Sequence, residues 1–146
     1  MATIFTIGFT KKSLRDFVET LRRAGVKRVV DIRLRNTSQL AGWSKQPDFA
    51  YLLEEGFGIA YEHHPEFAPS DELLDAYKND HNWTSYEERF NQLLAQRQPE
   101  SEARELLRKD SICLLCTEPT ADKCHRRLVA NYLQSLAPEK IEVKHL

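Results

Sequence analysis

Residues Ser111 to Leu136, SICLLCTEPTADKCHRRLVANYLQSL, read as a strand, a turn and a helix in succession. Ser111 to Thr117 is an apolar run of strand length, Pro119 to Lys123 is turn punctuation, and apolar residues from His125 to Leu136 recur at helical spacing. Cys116 and Glu118 therefore leave the end of a strand, while Cys124, His125 and Arg126 open the next helix. Reactive chemistry concentrates at this one corner.

The same alternation runs back to the start of the chain. Thr3 to Phe9 is apolar and β-rich and reaches Gly8, where a turn can begin. Leu14, Phe17, Val18 and Leu21 recur at i, i+3, i+4 and i+7, with Thr10 or Ser13 to cap the start and Gly25 at the stop. Val26 to Ile32 predicts a second strand, Asn36 to Trp43 has turn composition, and Asp48 to Glu55 predicts a short helix closed by Gly56. Ile59 to His63 predicts a third strand, followed by a Pro-punctuated loop from His64 to Ser70. Helices are expected over Asp71 to Lys78, Ser85 to Gln96 and Glu100 to Arg108, and a last strand over Ile141 to His145. Strands that alternate with helix-length connections give an α/β fold: a mainly parallel, open, five-stranded sheet with helices on both faces. The expected architecture is Rossmann-like, with strand order 3-2-1-4-5.

Ligands of such sheets bind beyond the carboxyl ends of the strands, where the order reverses. Gly8, Asp31, Arg33, His63, His64, Cys116, Glu118 and His145 all fall at that rim. The expected order sets the Gly8 turn across the crevice from the turn Cys116 to Arg127.

Length and composition narrow the classes. A chain of 146 residues is expected to form one domain over 1–146, large enough to bury a core without staples. With 41% hydrophobic and 29% charged residues it is not a disordered chain, and a formal charge of −1 argues against non-specific coating of nucleic acid. No window reaches membrane-spanning length, and the N-terminal residues read as a first strand rather than a leader. Three cysteines form no disulfide framework, which points to a reducing compartment and a cytoplasmic location.

Each constellation carries a chemical reading beside a plainer one. Cys124, His125 and Arg126 at a helix start sit where the dipole and unpaired N–H groups favour negative charge, so a thiolate or a bound anion gains there. Asp122 is a plausible N-cap competing for the same donors. The plainer reading is a packing cysteine with Arg126 and Arg127 as a solvated face. Cys116 and Glu118 share a strand face, and Glu118 could act as a general base; Cys113, on the opposite face, belongs to the core. Zinc is disfavoured by spacing, because Cys116 and Cys124 lie eight positions apart with only His125 beside one of them. A Cys116–Cys124 redox pair is geometrically conceivable across the turn but lacks the two-residue gap of thiol oxidoreductases, and a cysteine phosphatase would need an arginine in place of Asp122. Asp31, Arg33 and Arg35 alternate, and an arginine fork beside a carboxylate can clamp a phosphate or equally form a salt bridge. Ser38, Lys45 and their polar neighbours suit a binding loop, where Trp43 either stacks on a ring or plugs the core. His63 and His64 should point to opposite faces and so cannot easily share one metal. Trp83, Tyr86 and Phe90, at helical spacing, read as core.

The segments TIGFT (6–10), VVDIRLRNTSQLAGWSK (29–45), IAYEHHPEFAPSDELLDAYK (59–78) and CLLCTEPTADKCHRRLVANYL (113–133) together resemble the DUF488 family over nearly the whole chain. Cys116, Glu118, Cys124, His125 and Arg126 match its C-x-E and C-H-R signature, and Gly8, Asp31 and Arg33 match its other positions. Asn36 stands where many relatives carry a proline. The resemblance implies one α/β domain with a cleft at the motif end, and it implies no reaction or cofactor. The leading expectation is an enzyme whose crevice binds a small anionic ligand, a nucleotide or the end of a nucleic acid. Cys124, or Cys116, would be its nucleophile, and Glu118 or His125 its acid or base. Gly8, Asp31, Arg33, Arg35, Ser38, Lys45, His63 and Arg126 would contact the substrate. The alternatives are a non-catalytic module binding nucleic acid or protein through the same face, and a redox or metal role for the cysteines.

Overall fold

The computed structural model describes residues 3–37, 42–117, 123–137 and 139–146. Its centre is a five-stranded, wholly parallel sheet built from β1 (Thr3–Gly8), β2 (Arg28–Asp31), β3 (Ala60–His63), β4 (Ile112–Cys116) and β5 (Glu142–His145). Six helices accompany it: α1 (Leu14–Ala24), α2 (Asp48–Tyr51), α3 (Asp71–Asp80), α4 (Trp83–Arg97), α5 (Glu100–Leu107) and α6 (His125–Leu136). No helix among the described residues is long and apolar enough to cross a membrane.

The strand order is 3-2-4-1-5, which corrects the expected 3-2-1-4-5 by exchanging the two inner strands. β4 takes the position between β2 and β1 because ICLLC is buried along its whole length and offers apolar side chains to both faces. β1 carries Thr6 at an inner position and lies one strand further out, where Thr6 Oγ1 and His145 Nδ1 of β5 are 2.6 Å apart.

The crossovers explain where the helices go. Connections from β1 to β2 and from β2 to β3 step toward one edge, and those from β3 to β4 and from β4 to β5 step back. Parallel crossovers share one hand, so reversing the step changes the face that is covered. Phe17, Val18 and Leu21 of α1 and Phe49 of α2 accordingly pack with Ile7, Val29, Cys113 and Leu115 on one face. Leu73, Phe90, Leu94, Leu106, Val129 and Leu133 from α3 to α6 pack with Val30, Leu114 and Cys116 on the other. Each of these large side chains contributes roughly 1.5–3 kcal/mol by leaving water. β4 is flanked on both sides by strands whose exits turn to the opposite face, so a crevice opens at its carboxyl end.

Candidate functional site

Cys116 is the last residue of β4 and points to the face covered by α3 to α6, while Cys113 and Leu115 point to the other. Cys124 is the N-cap of α6, with extended backbone (φ −141°, ψ 140°) and no side-chain capping bond, so its sulfur is not committed to the helix. Cys116 and Cys124 are paired as a disulfide, although their Cα atoms are 7.8 Å apart, wider than an ordinary disulfide spans. His125 opens the helix. Its Nε2 lies 2.8 Å from the carbonyl oxygen of Ile32. A carbonyl only accepts, so Nε2 carries the proton and Nδ1 is left with its lone pair. The ring is enclosed and packs across Phe90 at 5.7 Å between centroids; burial holds its pKa down to about 4, so it is neutral at neutral pH. One ligand atom from each of Cys116, Cys124 and His125 lies within 4.8 Å of the others.

Arg126 stands behind this cluster. It is 1% exposed, and its Nη1 donates to Cys116 Sγ at 3.7 Å. Lys12, in the loop after β1, has its pKa lowered by partial burial and by the charge of Arg126. The two exits meet here, since both the backbone N–H and the hydroxyl of Thr10 donate to the carbonyl of Thr117. Gly8 is paired in register with Cys116.

A cleft of about 230 Å³ opens onto the cluster. Cys116, Cys124, His125, Thr117 and Lys123 form one side, and Tyr77, Trp83, Tyr86 and Leu74 the other. Trp83 stacks on Tyr86 at 5.0 Å with 17° between planes, and Tyr77 meets Trp83 edge-on at 5.9 Å. Leu74 and Tyr77 also line an adjoining groove that ends at Arg35 and Asp71.

Beside the cleft, Asp31 and Arg33 form a second centre. Arg33 Nε and Nη2 each donate to the Asp31 carboxylate at 2.8 Å, its backbone N–H adds a third bond, and the Tyr61 hydroxyl a fourth. Arg33 also donates to the Ser44 carbonyl and lies over the rings of Phe9 and Phe49. Its fork is therefore turned inward, onto the α1 and α2 side of the sheet.

The rim thus holds Gly8, Asp31, Arg33, Cys116, Cys124, His125 and Arg126 together, tied by the bond from His125 to Ile32. His63 joins them at the end of β3, where its Nε2 donates to the Arg33 carbonyl at 2.9 Å. His64 faces Glu62 and Glu66 instead. Arg35 is exposed and pairs with Asp71, and Lys45 sits by α2, away from the cleft lining. Glu118, Ser38 and Asp122 lie outside the described residues. Trp43 packs on Phe9, Phe17 and Phe49 as a core plug. Sequence reasoning missed Lys12, Tyr61 and the aromatic wall. Tyr86 and Phe90 are core as expected, but Trp83, the first residue of α4, remains partly open.

The family model described as domain of unknown function DUF488 matches residues 13–133. No curated protein and no solved structure matches the chain.

Proposed function

Since the chain belongs to the DUF488 family, whose description names no reaction, we propose from its side chains that it is an enzyme acting on a ring-bearing anion, a nucleotide or the end of a nucleic acid. The observation that carries this reading is one cleft with an aromatic wall and a floor of Cys116, Cys124 and His125. Aromatic faces accept planar rings regardless of their hydrogen-bonding edges, at about 1–3 kcal/mol per stacked base. Lys123 on the cleft wall and the start of α6 favour a negatively charged group beside the ring. The cluster at the floor is the reacting end. A neutral imidazole with a free lone pair can accept a proton, and the sulfur of Cys116, once its pair with Cys124 is reduced, lies beside the Arg126 guanidinium as the nucleophile.

Thermal-shift screening against nucleotides, sugar phosphates and short single-stranded DNA tests the reading. A ligand at about one hundred times its Kd should stabilise the fold by about 2.7 kcal/mol. Trp83→Ala should weaken that ligand by about tenfold or more, and Lys123→Ala should weaken it in a salt-dependent way. If no anion shifts the melting temperature, or if both variants bind as the wild type does, the reading fails. Binding without turnover would leave a recognition module.

A further inference from the structure

We infer that, once the Cys116–Cys124 pair is reduced, Cys116, Cys124 and His125 together hold a zinc-class divalent cation, with its fourth position open to the cleft. The inference concerns the cleft floor alone: anion binding by the cleft walls is independent of it, but with the metal bound His125 Nδ1 and both sulfurs are ligands, and the metal's open position takes their place as the reacting end.

Three observations converge. The ligand atoms lie within 4.8 Å of one another, and a tetrahedral zinc with bonds of about 2.0–2.3 Å needs ligand-to-ligand edges of roughly 3.5–3.8 Å, so small rotations suffice. The Cα separation of 7.8 Å is too wide for a relaxed disulfide, but a pair of thiolates bridged by an ion spreads wider by the length of two metal bonds. The outer supports are also present. His125 donates its other ring N–H to the Ile32 carbonyl, which fixes the ring with Nδ1 presented as a ligand, and Arg126 donates to the sulfur of Cys116. Thiolate and imidazole donors select zinc over magnesium or calcium. The long gap between the two cysteines spoke against zinc in the sequence, and the fold removes it: β4 delivers one ligand and the cap of α6 the other two.

Binding replaces two thiol protons, which pass to solvent, and makes the sulfurs ligands rather than attacking groups. All three ligating residues line the cleft, so the open position faces it. A water or a substrate oxygen held there would be polarised, which suits metal-assisted hydrolysis. Cys113 is an internal control, since it is buried on the opposite face with its sulfur 3.9 Å from the Leu114 carbonyl.

Elemental analysis of the full chain, purified under reducing conditions without chelators, should find about one zinc per chain. Cys116→Ser, Cys124→Ser and His125→Asn should each lower the occupancy, and Cys113→Ser should keep it. Cobalt exchanged for zinc should give a thiolate-to-cobalt charge-transfer band that the Cys116 and Cys124 variants lose. Wild-type protein stripped by chelator, folded by circular dichroism, should regain the metal and a higher melting temperature when zinc is added. Folded wild-type protein that is metal-free when purified under those reducing conditions and gives no cobalt band overturns the inference, whether its thiols are then reduced or still joined as a disulfide. Nucleotide thermal shifts read on the same samples keep that failure separate from failure of the anion reading.

Discussion

Asp31 is fully buried, yet its carboxylate takes four hydrogen bonds, three from Arg33 and one from Tyr61. A buried charge is tolerable only when it is paired and bonded in this way, and removing one partner of such a pair costs about 3–5 kcal/mol. The alternation of Asp31 and Arg33 in the sequence made their pairing legible. Tyr61 was not legible, because it reaches them from a neighbouring strand. Burial first, and the charge of Asp31 second, raise the Tyr61 phenol well above its ordinary value. Between the unfolded pKa near 10 and the higher folded one, the native state holds a proton that the unfolded chain has lost. The Tyr61 contribution to stability should therefore be constant below about pH 9 and be lost as pH rises through 10 and beyond. Urea titrations at several pH values should show this fall, with Tyr61→Phe markedly shallower. An identical slope in that variant would mean that Tyr61 ionises freely in the folded protein.

At the scale of the element, α1 shows local signals agreeing with tertiary packing. Ser13 caps it by accepting from the N–H of Asp16 at 3.1 Å, and Phe17, Val18 and Leu21 are buried on one stripe. Gly25 closes it in the left-handed region at φ 77°, with no atom within 4 Å of where a Cβ would stand. Gly25→Ala meets no clash, so its cost is the left-handed backbone penalty, about 1–2 kcal/mol. Chemical denaturation should show that loss with an unchanged m value, and a neutral effect would contradict the left-handed cap. Boundaries were less legible. α2 passes directly into a π-helical turn over Leu52–Gly56, and α4 begins at Trp83, two residues before the expected start, because Asn82 caps it by accepting from Ser85. Those two residues put Trp83 on the helix and on the cleft wall.

For the whole molecule, the alternation of strand and helix made the parallel sheet and its rim readable from the sequence. Gly8, Asp31 and Cys116 reach one end of the sheet under either strand order, since each ends a parallel strand. The order itself depends on which strand can be buried on both faces, a comparison that local periodicity does not make. β4, bonded on both sides and covered on both faces, should hold the slowest-exchanging amides in the protein. Hydrogen exchange followed by NMR should rank Cys113 to Leu115 slowest and the outer strand β5 well ahead of them. Equal rates in β4 and β5 would contradict the central position.

Chemistry over the middle strand leaves both margins of the sheet unburdened. β3 and β5 bring Glu62, Glu142 and Lys144 to those margins, and such charges discourage unwanted strand pairing. Segments added along either border during evolution would redraw the outline of the molecule without crossing its reactive centre, so ornament and mechanism can change separately.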